Sequence, residues 1–157
     1  RRDWPTALER WQTLLQAARS AGYDGVRAIA HCGLGLAHLG LGDPDAASAE
    51  AAEAERLLEG QDGWSESREA YHNLAARLAA ARGEADRALE WIEAAERALE
   101  PRDRYLWAGF RLLRAEILAG RDPERATQAA TEARDAFATL GAEPMRRQAD
   151  ALLDEIG

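Results

Sequence analysis

Residues 34–54, LGLAHLGLGDPDAASAEAAEA, carry the clearest structural signals in this chain. This stretch predicts one helix, a tight break at residues 42–45 and a second helix. Gly42 suits the left-handed conformation in which many helices end. Asp43 can cap the second helix, and Pro44 fits its first position, where the missing N–H costs nothing. The stretch therefore predicts a helical hairpin.

A stripe of small residues follows the break. Ala47, Ala51 and Ala54 are spaced by four and three residues, so they share one helix face and allow a close neighbour. The same spacing recurs in Ala7, Trp11 and Leu14, in Ala88, Ile92 and Ala95, and in Ala126, Ala130 and Ala133. Successive copies are offset by 40, 41 and 38 residues. Self-similarity at such a period is typical of a helical solenoid.

The first hairpin resembles the tetratricopeptide repeat (TPR). Leu34-Gly35, the Gly42-Asp43 turn and the alanine stripe match the family pattern, while His38 stands at its aromatic position. The resemblance covers roughly residues 6–140. The repeats in this range are similar to the long, degenerate repeats of multidomain bacterial signalling proteins. The period is longer than the usual ~34 residues. The segment 137–144 is similar to repeat regions of LuxR-type ATPase regulators.

We expect an all-α fold, a right-handed solenoid of three to four TPR-like antiparallel helix pairs. The eight predicted helices span residues 5–21, 24–41, 44–59, 66–82, 84–100, 102–119, 123–140 and 144–156. The expected organisation is a single repeat domain over residues 1–157, with an orphan second-type helix at 1–21 and a capping helix at 142–157. An orphan helix suggests a piece of a longer protein. A loop with two glycines is predicted at 60–65, and its Trp64 is either tucked under the loop or a contact anchor.

In a TPR-like solenoid the first helix of each pair lines a concave surface. Carrying over the groove-facing positions of the repeat gives six candidate partner-binding residues: Cys32, Leu36, Asn73, Arg77, Arg111 and Ala115. The hypothesis is that Arg77 and Arg111 bind carboxylates of an acidic peptide, because guanidinium presents a bidentate fork. The alternative is that both are ordinary surface arginines matched by nearby acids.

Charge and composition limit the partners. The chain has 157 residues, 36 of them alanine, and a net charge of −8, so direct binding to nucleic acid is not expected. Residues 43–69 alone carry a net charge of −7, either as a solvated helix face with a loop or as a docking patch for a basic partner. No apolar run approaches the ~20 residues of a membrane span. One cysteine fits a reducing compartment, and a cytoplasmic location is expected.

Catalytic and metal sites are not expected. His31 and His38 would lie about 10 Å apart along one helix at ~1.5 Å per residue, too far to share a metal ion. Cys32 follows His31 directly, and adjacent helical residues point apart, which argues against a Cys–His nucleophile. The closely spaced glycines of residues 34–42 have no strand before them and no lysine after them, so they do not form a phosphate loop.

The sequence thus predicts a non-enzymatic protein–protein interaction scaffold without cofactors, which binds a peptide or partner protein through its concave surface. The alternative is the ligand- or inhibitor-sensing arm of a bacterial LuxR-type ATPase transcriptional regulator. A purely structural spacer is a third possibility. Exposed end helices could also pair between copies of the chain.

Overall fold

The fold is all-α, as predicted. A computed structural model describes residues 3–59, 65–99 and 103–157, and these are 87% helical without a strand. These ranges contain eight helices: α1 (Trp4–Ala21), α2 (Asp24–Gly40), α3 (Pro44–Leu58), α4 (Ser65–Ala81), α5 (Ala85–Leu99), α6 (Arg104–Leu118), α7 (Pro123–Thr139) and α8 (Glu143–Ile156). Their bounds lie within two residues of the predicted ones wherever both ends are described.

The helix break at the centre of the first hairpin forms as predicted. Gly42 has φ +82° in the left-handed region, and Pro44 is the first residue of α3. The Asp43 carboxylate accepts a hydrogen bond from the Ala46 N–H at 2.9 Å. The same cap recurs at α1, α6 and α7, formed by Asp3, Asp103 and Asp122. These caps satisfy N–H groups that the first turn of a helix would otherwise leave unpaired.

The chain divides into two compact units, Arg1–Glu84 and Ala85–Gly157. In the first unit, α2 packs against α1, α3 and α4. In the second, α6 packs against α5, α7 and α8, and α7 also packs against α8. Each unit therefore has its own helix at the centre. The single repeat domain over residues 1–157 stays a prediction.

Three of the four alanine stripes are buried between helices. Ala54 is fully buried and packs with Cys32 of α2 and Leu74 of α4. Ala130 is fully buried and packs with Ala115 of α6, while Leu152 and Leu153 of α8 pack against the same cluster. The stripe of α5 is also completely buried, in Ala88, Ile92 and Ala95. Small side chains thus allow the close helix contacts that the pattern predicted.

The stripe predicted on α1 differs from the other three. Leu14 is 37% exposed, and the buried residues of α1 are Leu15 and Ala18. Leu15 packs with Ala30 and Leu34 of α2, so the buried face of α1 is turned by one residue from the predicted stripe. Trp11, the middle residue of the predicted stripe, packs against the same cluster, so the stripe is covered at Trp11 and Leu14 lies outside the contact.

Two predicted features fall partly or wholly outside the described residues. Trp64 and residues 60–64 of the predicted loop lie outside them, whereas Ser65 begins α4. Within the described ranges, no helix is long and apolar enough to cross a membrane.

Candidate functional site

The candidate site is a groove in the first unit, walled by α1, α2 and α4. Its volume is about 520 Å³. Eleven residues line it: Trp4, Ala7, Trp11, Gly33, Leu36, Ala37, Leu39, Gly40, Asn73, Arg77 and Ala81. Three of them, Leu36, Asn73 and Arg77, are among the six residues predicted from the sequence. Among the lining residues that the structure describes, none is acidic and Arg77 alone is charged.

Two tryptophans of α1 press directly on glycines of α2. A Cβ atom built on Gly33 would lie 2.2 Å from the Trp11 ring, and one built on Gly40 would lie 2.1 Å from the Trp4 ring. Any side chain at either glycine would therefore displace an indole. Gly33 is a helix-interior residue, where glycine costs about 1 kcal/mol relative to alanine, whereas Gly40 is the last residue of α2. Close packing of two large aromatic groups offsets that cost.

The two tryptophan–glycine contacts lie one after the other along α1 and α2 and form the aromatic wall of the groove. Trp4 and Trp11 are seven residues apart on α1, and Gly40 and Gly33 are seven residues apart on the antiparallel α2. Seven residues are close to two helical turns, so both contacts repeat along one line. The sequence reasoning did not identify this wall. The signal that could have found it is the matched spacing of tryptophans and glycines in neighbouring helices.

Asn73 and Arg77 form the polar side of the groove. They lie one turn apart on α4, and the Arg77 Nε–H donates to Asn73 Oδ1 at 3.1 Å. Both side chains are half-buried, as is Leu36 on α2. The hydrogen bond fixes the direction of the guanidinium, which reduces the entropy lost when it binds a ligand.

Cys32 does not line the groove. Its side chain is 1% exposed and packs with Ala54 and Leu74. Burial raises the pKa of the thiol to about 12, so it is neutral and unreactive near pH 7. The burial places Cys32 in the core, where it cannot contact a partner in this conformation.

The residues next to Cys32 form no reactive cluster with it. His31 is also buried, and its Nδ1 lies 2.5 Å from Glu50 Oε2 on α3. This pair joins α2 to α3 and engages the imidazole of His31. No group of three side chains able to hold a metal ion occurs among the described residues. Gly35 and Gly40 belong to helix α2, of which Gly40 is the last residue.

Arg111 lies in the second unit and is matched by acids of neighbouring helices. Its Nε lies 3.1 Å from Glu132 Oε2 on α7 and 3.6 Å from Glu96 Oε1 on α5. Its guanidinium is 5.0 Å from the centre of the Trp107 ring, close enough for a cation–π contact. Ala115, one turn further along α6, is fully buried. Both residues therefore take part in packing within their unit.

Glu96 is the centre of this ionic cluster. Its side chain is 9% exposed, and it accepts two hydrogen bonds from Arg114, at 3.1 and 2.7 Å. The bidentate pairing satisfies both carboxylate oxygens. A buried carboxylate needs such partners, because an unpaired charge in the interior is strongly destabilising. The Glu96–Arg114 pair links α5 to α6, so these two charged side chains stabilise the packing of the second unit.

Comparisons with known proteins support the fold class. No family model matches the chain, and no curated protein matches it. Among solved structures, the apo form of RapI, a helical-repeat protein, is similar with a TM-score of 0.53 and 16% sequence identity. The match covers 98% of this chain and 47% of RapI, so the chain spans about half the length of that protein. The predicted all-α helical-repeat fold is confirmed.

Proposed function

We propose that this chain is a non-enzymatic interaction module of the TPR-like type, which binds a peptide segment of a partner protein in the groove between α1, α2 and α4. The observation that carries the proposal is the composition of the groove. Its described lining combines an aromatic wall, an aliphatic floor and one oriented guanidinium, and includes no acidic residue. Such a surface is complementary to an apolar side chain that stands close to a carboxylate.

The chemistry of recognition follows from the lining. An apolar side chain of the peptide packs against Trp11 and Leu36, and large aromatic groups of this kind dominate binding energy in interfaces. The Arg77 guanidinium pairs with a carboxylate of the peptide through charge-assisted hydrogen bonds. Asn73 adds amide donors and acceptors for the peptide backbone. Glu132 and Glu96 flank Arg111, so a peptide carboxylate would have to compete with both of them for its guanidinium.

The test is selection of peptides from a displayed random library against the 157-residue chain, followed by affinity measurement on variants. Arg77→Ala is expected to weaken binding at least tenfold, and Arg77→Lys to weaken it less, because lysine keeps the charge and loses the fork. Arg82→Ala, an exposed arginine just beyond α4, is the matched control and leaves affinity unchanged. Arg111→Ala is measured in parallel.

Two results contradict the proposal. One is that every selected peptide binds Arg77→Ala and Leu36→Asp as tightly as the parent chain. The other is that the library yields no binder at all.

A small-ligand role is the second candidate, favoured by the size of the groove. Its volume falls within the ~300–1,000 Å³ typical of small-molecule pockets. In this reading the chain is the sensing arm of a LuxR-type regulator. A metabolite screen by thermal shift distinguishes the two, since a ligand of the folded state raises the melting temperature. The shift should disappear in Leu36→Asp, and a screen without hits favours the peptide.

A further inference from the structure

The two indoles of the groove lie two helical turns apart on the same wall. Trp4 and Trp11 are seven residues apart on α1, about 10 Å along the helix at ~1.5 Å per residue. Each indole packs on a glycine of α2, and both are half-buried and line the groove. The groove therefore offers a ligand two aromatic surfaces at a spacing that α1 fixes.

The polar side chains of α4 lie at a level between these two surfaces. Helix α4 runs in the same direction as α2, since the Ser67 hydroxyl near the start of α4 donates to the Gly25 carbonyl near the start of α2 at 3.2 Å. Further along both helices, a Cβ atom on Gly35 would lie 2.6 Å from the Leu74 side chain. The amide and the guanidinium of the groove stand one residue before and three residues after Leu74, so they lie beside the interval between the two tryptophan contacts.

Three peptide conformations place side chains on one face at different spacings. In a β-strand the same face recurs every two or four residues, at about 6.6 or 13 Å, and neither spacing matches the ~10 Å between the indoles. A helix repeats after seven residues, but two helical turns of ~10 Å diameter fill roughly 800 Å³, more than the groove volume of about 520 Å³. Polyproline II has three residues per turn and a rise of ~3.1 Å, which puts residues i and i+3 on one face about 9 Å apart. The polyproline II conformation therefore fits both the spacing of the indoles and the size of the groove.

The chemistry of the lining suits the same conformation. A polyproline II backbone has no internal hydrogen bonds, so its carbonyl groups need donors, and Asn73 can donate through its amide N–H groups while its Oδ1 accepts from Arg77. Proline-rich segments dock in grooves lined by aromatic side chains, and their preformed conformation reduces the entropy lost on binding. Arg77 is the one charged residue of the described lining, so an acidic residue of the segment complements it.

Building on the proposed peptide-binding function, we infer that the occupant of the groove is a segment of a partner protein in the polyproline II conformation. The segment has two prolines at positions i and i+3, which pack on the Trp4 and Trp11 rings. An acidic residue at one of the two positions between the prolines pairs with Arg77. The ligand class is thus Pro-x-x-Pro with Asp or Glu at one x position.

The experiment compares displayed peptide libraries that differ in proline spacing. Three libraries of equal peptide length fix a second proline two, three or four residues after the first, and a fourth library is fully random. Each library is selected against the full 157-residue chain. The Pro-x-x-Pro library is expected to give the tightest binders, with an acidic residue enriched at one x position. In the best binder, moving one proline by a single residue is expected to weaken binding at least tenfold in fluorescence anisotropy.

Variants of the two tryptophans locate each proline. In Trp4→Leu, replacing one proline of the peptide by alanine should change affinity less than twofold, while replacing the other keeps its full effect. In Trp11→Leu the two prolines exchange roles. A general loss of folding would not produce such coupling, which is typical of residues in contact. Trp91→Leu, which changes a half-buried tryptophan of α5 in the second unit, is the matched control and leaves affinity unchanged.

Two results overturn this inference and leave the proposed function standing. One is that the fully random library gives binders that lose affinity in Arg77→Ala but carry no proline pair at this spacing. The other is that binders from the Pro-x-x-Pro library tolerate a shifted proline and show no coupling to either tryptophan. If none of the four libraries gives a binder, the proposed function fails together with this inference.

Discussion

Replacing Gly33 by alanine tests the packing that forms the aromatic wall of the groove. The new Cβ would lie 2.2 Å from the Trp11 ring, whereas ordinary contacts begin at 3.4 Å, so the indole must retreat by about 1.2 Å. Overpacking of this kind costs about 1–3 kcal/mol. The same substitution gains about 1 kcal/mol of helix propensity. The net expectation for Gly33→Ala is a loss of about 0–2 kcal/mol in the free energy of unfolding.

The chain offers a matched control for the propensity gain. Gly109 is also inside a helix, and a Cβ there meets nothing within 4 Å. Gly109→Ala should therefore raise stability by about 1 kcal/mol. The difference between the two variants then isolates the clash with Trp11, at about 1–3 kcal/mol. Urea unfolding followed by circular dichroism measures both values, with the slopes compared to check that the unfolding reaction is unchanged.

A double-mutant cycle ties the effect to the indole. In a Trp11→Leu background, Gly33→Ala should lose most of its cost, because a smaller side chain leaves room for the new methyl group. The reasoning is refuted if Gly33→Ala stabilises the parent chain as much as Gly109→Ala does. It is refuted equally if the cost of Gly33→Ala is the same with and without Trp11, since contacting residues should show coupling.

Three further predictions concern single ionisable groups. Arg114→Ala should destabilise the second unit by about 3–5 kcal/mol, because it leaves Glu96 buried without its bidentate partner. The double variant Arg114→Ala with Glu96→Gln should regain part of the lost free energy of unfolding, as measured by urea unfolding. Burial raises the pKa of the Cys32 thiol to about 12, so Cys32 should resist alkylation by iodoacetamide at pH 8 in the native state and react rapidly in urea. Equal alkylation rates in the native and the urea-unfolded chain would contradict a buried thiol. Burial, and secondarily Arg68, lowers the pKa of His72 below its ordinary value of 6.5. Between that ordinary value and the lowered folded pKa the unfolded chain binds more protons than the folded one, so stability should fall as the pH drops through this interval. The fall should be smaller in His72→Gln, and identical pH profiles of the two proteins would count against it.

Prediction from the sequence worked best where local chemistry decides the structure. Gly42, Asp43 and Pro44 each act at the helix break through their own backbone or side chain, so the break could be read directly. Prediction from the sequence was less successful for the residues of the candidate groove. Leu36, Asn73 and Arg77 follow from the repeat pattern and do line one groove, whereas Cys32 at the same kind of position is buried by Ala54 and Leu74.

Capping residues, turn glycines and alanine stripes act within a few residues of each other, so the amino-acid sequence was enough to predict a series of helical hairpins. Tertiary structure decided which faces those helices share. Two indoles of α1 fit over Gly33 and Gly40 only because α2 lies antiparallel at very short distance. The partners of Arg111 likewise come from α5 and α7. Contacts between residues far apart in sequence depend on how helices pack, and no local pattern specifies them.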